Sequence, residues 1–401
     1  MNRGGACRLR IVITGLAATF PLGGVFWDYF QYVEGLRGLG HEVLYLEDTG
    51  KWCYDAEAQT FVENGARNAA WLARAIRTFE PALADFWYFR DPAGNDYGRT
   101  FNQAAAFCRD ADLLLDISAS CRMCEEYLRA RRIAFIDSDP MYTQACVSAH
   151  LEGNASAEER AALDKLRMHQ VFFTFAENVA APQCRVPRQF FNWMPTRQPI
   201  VLKHFDNGAA RVPLAARRRA LTTVMSWEPA EHGPRIDGVN YFGKSAEFER
   251  YIDLPATVTA PLEIALSGPA PRERIRRYGW HLRDAYEISA DPWTYRAYLA
   301  NSFAEWSVAK DAYVRSASGW FSCRSACYLS LGVPVIVQDT GFGCALPSGE
   351  GVLAFSTADQ ARAAVEAVLA NPHPHARAAV AIAREYFDSG PVLTRLLDAA
   401  M

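Results

Sequence analysis

The chain is expected to fold as two α/β domains in tandem, each built on a parallel sheet. Three observations point there. Short β-branched runs alternate with helical stretches along nearly the whole length, the pattern of β–α–β units with right-handed crossovers. At 401 residues, half of them hydrophobic and 12% aromatic, the chain can bury two cores and is far from a disordered composition. Midway, Pro182, Pro187, Pro195 and Pro199 interrupt the alternation, which then restarts.

Leu9 to Thr14 reads as a strand buried on both faces. Gly15 to Gly24 is a loop, and Phe26, Tyr29, Phe30, Val33 and Leu36 form one stripe of a helix over Val25–Leu39 that Gly40 stops. Glu42–Leu46 is the second strand. Helices follow over Ala69–Phe79, Phe101–Arg109 and Glu125–Ala130, and strands over Leu113–Ile117, Ile133–Ile136 and Val171–Phe175. Past a seam near residues 190–220, strands are expected at Ala220–Trp227, Leu262–Leu266, Val333–Val337 and Val352–Phe355. Helices are expected at Tyr295–Ser302, Arg324–Leu331, Ala358–Ala370 and Ala376–Phe387. The domains are placed at 1–195 and 196–375, with a C-terminal helix over 376–401 returning to the first.

Composition narrows the function classes. Forty-two basic against 45 acidic residues give a net charge of -3, which argues against a nucleic-acid or anionic-membrane partner. The ten cysteines are scattered, and Cys121 and Cys124 form a lone CxxC with no second pair at metal spacing. Arg3, Arg8 and Arg10 precede an uncharged run from Ile11 to Trp27 that resembles a signal or anchor. Gly15, Pro21, Gly23 and Gly24 interrupt that run, and it is shorter than the roughly 20 residues of a membrane span. A strand and glycine-rich turn account for those breaks, so a soluble, cytoplasmic protein is expected, without an integral membrane segment.

The most informative stretch is Ser316-Ala-Ser-Gly-Trp-Phe-Ser-Cys-Arg-Ser-Ala-Cys-Tyr-Leu-Ser-Leu-Gly-Val-Pro-Val335. A loop feeds a helix whose first turn carries Ser322, Arg324 and Ser325. Unpaired amides and the helix dipole make such a terminus an anion site, and a guanidinium suits a phosphate. The same residues also read as a plain N-cap and a surface arginine.

This stretch resembles the C-terminal domain of group-1 glycosyltransferases of the GT-B fold. The matching pieces are Gly319-Trp320-Phe321-Ser322, the helix Arg324–Leu331, and Gly332-Val333-Pro334-Val335. Asp339-Thr-Gly-Phe-Gly343 stands where that family has its donor loop. Gly349 to Ser356 and the following alanine-rich helix resemble the family's ending. Gly40-His41-Glu42-Val43 matches in the first domain, and the less-characterised CgeB-like subset is also similar. The resemblance implies two Rossmann-like domains facing across a cleft and a nucleotide-sugar donor bound by the second domain. Donor-binding residues would be Gly319, Ser322, Arg324, Ser325, Gly341, Phe342 and Glu350.

In one respect the chain departs from the family. Two glutamates eight residues apart usually cross this loop and helix, but Gly319 and Cys327 stand there instead. Lys244, in Gly243-Lys244-Ser245, is expected with Arg324 to neutralise the departing diphosphate, although it could equally cap a surface turn. The loop from Gly15 does not fit G-x-G-x-x-G. Gly15 and Thr19 are its candidates for an acceptor or phosphate contact. A general base is sought among Asp28, Asp116, Asp137, Asp139 and Glu177, with Asp139 and Glu177 preferred. Trp87, Tyr88 and Phe89 could stack an acceptor, and Trp280, His281, Trp293 and Tyr295 a nucleobase, or all could be core. No G-x-S-x-G elbow is present.

The expected function is metal-independent transfer of a sugar from a nucleotide-diphosphate sugar to a small-molecule or glycan acceptor, with no cofactor beyond that co-substrate. The alternatives are a sugar-nucleotide 2-epimerase of the same fold and a non-catalytic sugar-nucleotide-binding scaffold.

Overall fold

The computed structural model describes residues 8–401; Arg3 and Cys7 lie outside them. The chain divides into two compact units. The first holds the described residues up to Ser138, with Asp164–Phe173 and Ser389–Met401, and the second holds Asp139–Leu163 and Thr174–Asp388. The chain therefore changes unit several times. Residues 139–163 and 174–195, placed by the sequence in the first domain, belong to the second unit, as do residues 376–388 of the segment expected to return to the first. Only the stretch from Ser389 on belongs to the first.

In the first unit the strands are β1 (Arg10–Thr14), β2 (Glu42–Asp48), the small hairpin β3 (Cys53–Asp55) and β4 (Thr60–Val62), β5 (Trp87–Arg90), β6 (Asp96–Gly98), β7 (Leu113–Ile117), β8 (Ile133–Asp137) and β9 (Val171–Thr174). The sheet runs β9-β8-β7-β1-β2-β5-β6. Val12 lies beside Leu44 on one side and Leu114 on the other, both parallel pairings. The order leaves β1 in opposite directions, towards β2 and towards β7, so the gap between β1 and β7 is the switch point. Helix Gly23–Gly38 and helix Ser389–Ala400 pack together, and a Cβ at Gly35 would meet Leu393 and Ser389.

Trp87, Tyr88 and Phe89 prove to be β5, buried in the core, which removes them as a stacking platform. The helix expected at Glu125–Ala130 is a single 3-10 turn, Tyr127–Arg129.

The second unit opens with a short strand, β10 (Trp193–Pro195). It continues with β11 (Arg218–Ser226), the hairpin β12 (Arg235–Ile236) and β13 (Val239–Asn240), β14 (Leu262–Ser267), β15 (His281–Asp284), β16 (Ser302–Ser307), β17 (Val335–Gln338) and β18 (Val352–Phe355). The main sheet runs β15-β14-β11-β16-β17-β18, all parallel. Its switch point lies between β11 and β16. Trp306 of β16 stacks on Phe355 with ring centroids 5.5 Å apart, and Phe248 and Trp280 close over it. Trp280 is thus core, its indole N–H donating to the Ile252 carbonyl at 2.7 Å, and is lost as a nucleobase platform.

Strand β16 was not expected from the sequence. Glu305 interrupts its apolar run, yet it is fully buried. No described helix is long and apolar enough to cross a membrane.

Candidate functional site: a cationic cavity at the second unit's switch point

The helix Cys323–Ser330 starts above the carboxyl ends of β16 and β17 and carries Arg324 in its first turn. The Arg324 guanidinium sits over the switch point. Its Nε donates to Glu305 Oε1 at 2.7 Å, Nη1 to the Val224 carbonyl of β11 at 2.8 Å, and Nη2 to Ser307 Oγ at 2.6 Å. The side chain is therefore anchored to both strands that flank the switch point. It contributes its charge from a fixed position instead of swinging out to meet a ligand.

Beside it lies a small concavity open to solvent, lined among others by Trp320, Phe321, Ser322, Ser325, Gln338 and Phe342. Ser322 occupies the N-cap position, but its hydroxyl makes no capping bond. Ser325 Oγ is buried and has no hydrogen-bond partner among the described residues. A first helical turn, whose amides have no acceptor within the helix, beside a concavity that holds a buried, unsatisfied hydroxyl, is chemically suited to an anion.

Lys244 opens the helix Lys244–Glu249 on the same edge. Burial pushes its ammonium down to about 7, the charges of Arg324 and Lys310 push the same way, and Glu305 and Glu228 oppose them. Three cations thus converge here. Lys310 was not singled out from the sequence. Its ammonium lies 3.0 and 2.8 Å from the two oxygens of Asp139 and 4.1 Å from the Tyr142 ring centroid. Burial, together with Glu228, raises the Asp139 carboxyl, while Lys310 and Lys244 hold it down.

The loops around the cavity are tied together by Asn178, another residue that sequence reasoning missed. Its side-chain nitrogen donates to the Ala317 carbonyl at 3.1 Å and the Gly341 carbonyl at 2.9 Å, and its backbone N–H donates to Ser318. Gly319 and Gly341 both adopt positive φ, +77° and +87°. At Gly319 a Cβ would lie 2.9 Å from the Asn178 backbone nitrogen, so no side chain fits. Cys327 is buried in the helix. Of the two positions where the similar family carries a glutamate, Gly319 has no room for a side chain, and Cys327 supplies no carboxylate.

Other expected site residues fall elsewhere. Glu350 is exposed just before β18, at the amino end of the sheet, whereas the cavity lies at the carboxyl edge, so the structure does not bring it together with Arg324 and Ser325. Glu177 belongs to the second unit and pairs with Arg197. In the first unit, the amides of Ala18 and Thr19 are held by the buried Glu47 carboxylate, and that of Ala17 by the Tyr45 hydroxyl. A Cβ at Gly15 would overlap the Tyr45 ring. Gly15 and Thr19 therefore shape a closed turn, and the amides of residues 17–19 are not open to a phosphate.

Asp116 is fully buried, accepting from Thr14 Oγ1 at 3.0 Å, and lies 3.3 Å from His169 Nε2 and 3.7 Å from Lys165 Nζ. Asp137 is fully buried as well. Cys121 and Cys124 form no disulfide, and no group of three His, Cys, Asp or Glu side chains among the described residues could hold a metal ion.

No protein-family model and no curated protein matches the chain. Solved structures do. An alpha-glucosyltransferase in complex with UDP and a 13-mer DNA with a central A:G mismatch superposes with a TM-score of 0.59 at 12% identity, covering 97% of this chain and 99% of that one. The Anabaena protein HepE, in complex with UDP and glucose, gives 0.53 at 10% identity, with 98% and 99% covered. Sucrose-phosphate synthase from Thermosynechococcus elongatus gives 0.52 at 12% identity, with 98% and 100% covered. At such identities the likeness is one of fold, and it spans the chain: the fold is GT-B, with two Rossmann-like units.

Proposed function

We propose that this chain is a glycosyltransferase that takes a sugar from a nucleoside-diphosphate sugar and passes it to an acceptor hydroxyl. The observation that carries the reading is the cavity at the start of helix Cys323–Ser330, where Ser325 Oγ is unsatisfied and Arg324 is anchored to Ser307 of the cavity wall, with Lys244 within reach of the Arg324 charge. The donor's diphosphate is assigned to the first turn of that helix, whose amides have no acceptor within the helix. During transfer the bond from the anomeric carbon to the phosphate oxygen breaks with its electron pair leaving on the phosphate. The acceptor oxygen bonds to that carbon and gives its proton to the departing phosphate oxygen. Negative charge grows on the diphosphate as this happens, and cations held in place by the fold stabilise it most at the transition state. The role assigned here to Lys244 and Arg324 needs no metal ion. Trp320, half-buried at the cavity wall and stacked on Tyr313, is the ring we assign to a nucleobase, whereas Phe342 is buried against Phe321.

Two of the solved structures that share the fold hold UDP, which makes UDP the first ligand to test. Calorimetric titration with UDP, GDP, ADP, TDP and CDP should find one that binds, with affinity falling about tenfold or more in Lys244→Gln. Failure of all five to bind would overturn the donor site.

A second reading, sugar-nucleotide binding without transfer, is favoured by the absence of carboxylates at Gly319 and Cys327. Release of free sugar or glycoside from the bound donor, followed by NMR, separates the two.

A further inference from the structure

Lys310 and Asp139 are 171 positions apart in the chain, and Lys310 precedes the helix Asp311–Arg315 without its side chain capping it. Lys310 directly follows Ser307, Val308 and Ala309, which line the cavity, and its side chain is only about a fifth exposed. Its ammonium is clamped from two sides, by both Asp139 oxygens and by the face of Tyr142. Its charge reaches Lys244. Arg324 is committed to Glu305, Val224 and Ser307. Of the three cations, Lys310 is thus the one whose partner is a single, partly exposed carboxylate, and so the one that can be exchanged.

We infer that Lys310 is a third ligand of the donor's diphosphate, held in reserve by Asp139 and handed over when the diphosphate enters. In the empty protein the carboxylate neutralises an ammonium that would otherwise repel Lys244. A diphosphate competes for the same ammonium with more charge and more acceptor oxygens. As it takes Lys310, the Asp139 carboxylate is released beside the new anion. No covalent bond changes in this exchange. Asp139, sought from the sequence as a base, acts here through Lys310 as a positioning residue. The inference rests on the donor site proposed above.

The test is calorimetric titration of the full chain with the nucleoside diphosphate that binds best. Lys310→Gln should weaken binding about tenfold, and Lys310→Arg should restore most of it, because a charged nitrogen returns to the cavity edge. Asp139→Asn should tighten binding about three- to tenfold by removing the competitor, and the double variant should bind like Lys310→Gln alone. Affinity within twofold of the parent in Lys310→Gln would overturn the inference while leaving the donor site standing. So would tightening by Asp139→Asn that persists without Lys310. Loss of binding in the parent itself would instead remove the donor site on which the inference rests. Thermal unfolding of each variant shows whether a weak binder is folded, and Lys310→Arg keeps the test decisive if Lys310→Gln is not.

Discussion

The side-chain amide of Asn178 donates to the Gly341 carbonyl at 2.9 Å, joining two loops that lie 163 residues apart in the chain. The same nitrogen reaches Ala317, and the Asn178 backbone N–H reaches Ser318, so one buried residue holds both rims of the cavity. Asn178→Ala leaves two carbonyl groups without their donor. It is expected to cost about 1–3 kcal/mol in urea unfolding and to weaken nucleotide binding without any direct contact to the ligand. Unchanged stability and affinity would show that the loops hold their shape by themselves.

The Gly319 backbone explains why the carboxylate of the similar family is missing. With φ at +77° and a Cβ only 2.9 Å from the Asn178 nitrogen, any side chain is both strained and in collision. Gly319→Glu should therefore restore no function and should destabilise the fold by about 2 kcal/mol or more. Gly319→Ala is expected to do nearly the same harm, because strain and collision both begin at Cβ. A Gly319→Ala variant with the parent's melting temperature would contradict this account.

Arg217 closes the other end of the same helix. Its Nη1 donates to the Gly332 carbonyl at 2.9 Å, Nη2 to Leu331 at 3.2 Å, and Nε to Val212 at 3.0 Å. The planar guanidinium serves three acceptors at once while its charge faces the negative end of the helix dipole. Arg217→Gln should lose about 2–3 kcal/mol in urea unfolding, since several buried carbonyls lose their donor together. Arg217→Lys should recover only part of that loss, because one ammonium cannot span three acceptors. Full recovery by lysine would mean that charge alone matters there.

These residues also show how far the sequence could be read. Val352–Phe355, an uninterrupted apolar run, was legible to the residue, and so was Leu113–Ile117, where three leucines precede Asp116. Strand β16 was not, because Glu305 reads as a surface residue until Arg324, 19 positions on, is seen to neutralise it. In the site, Ser322, Arg324 and Ser325 stood out because helix-start chemistry is local. Asn178 and Lys310 did not, since each acts through partners 139 to 171 residues away and carries no local pattern. Glu350 misled for the opposite reason: it is near in sequence to the site strands but lies at their far end.

Lys244 makes stability and binding depend on pH in a defined direction. Its folded value is about 7, against about 10.4 in an unfolded chain. Between these values the unfolded chain holds a proton that the folded chain lacks, so Lys244 makes stability rise with pH across that window. Below pH 7 both states are protonated and the cost of burying the charge is felt in full; above about 10.4 it vanishes. Lys244→Met should therefore stabilise the empty protein most near pH 6, with the gain shrinking towards pH 10. Comparing the two proteins at each pH cancels the contributions of other titrating groups. An incoming diphosphate reverses the balance by favouring the charged ammonium, so binding at pH 8 should draw protons from solution. Titration in buffers of different ionisation enthalpy measures that uptake, which should be close to zero in Lys244→Met. Equal uptake in both proteins would place the titrating group elsewhere.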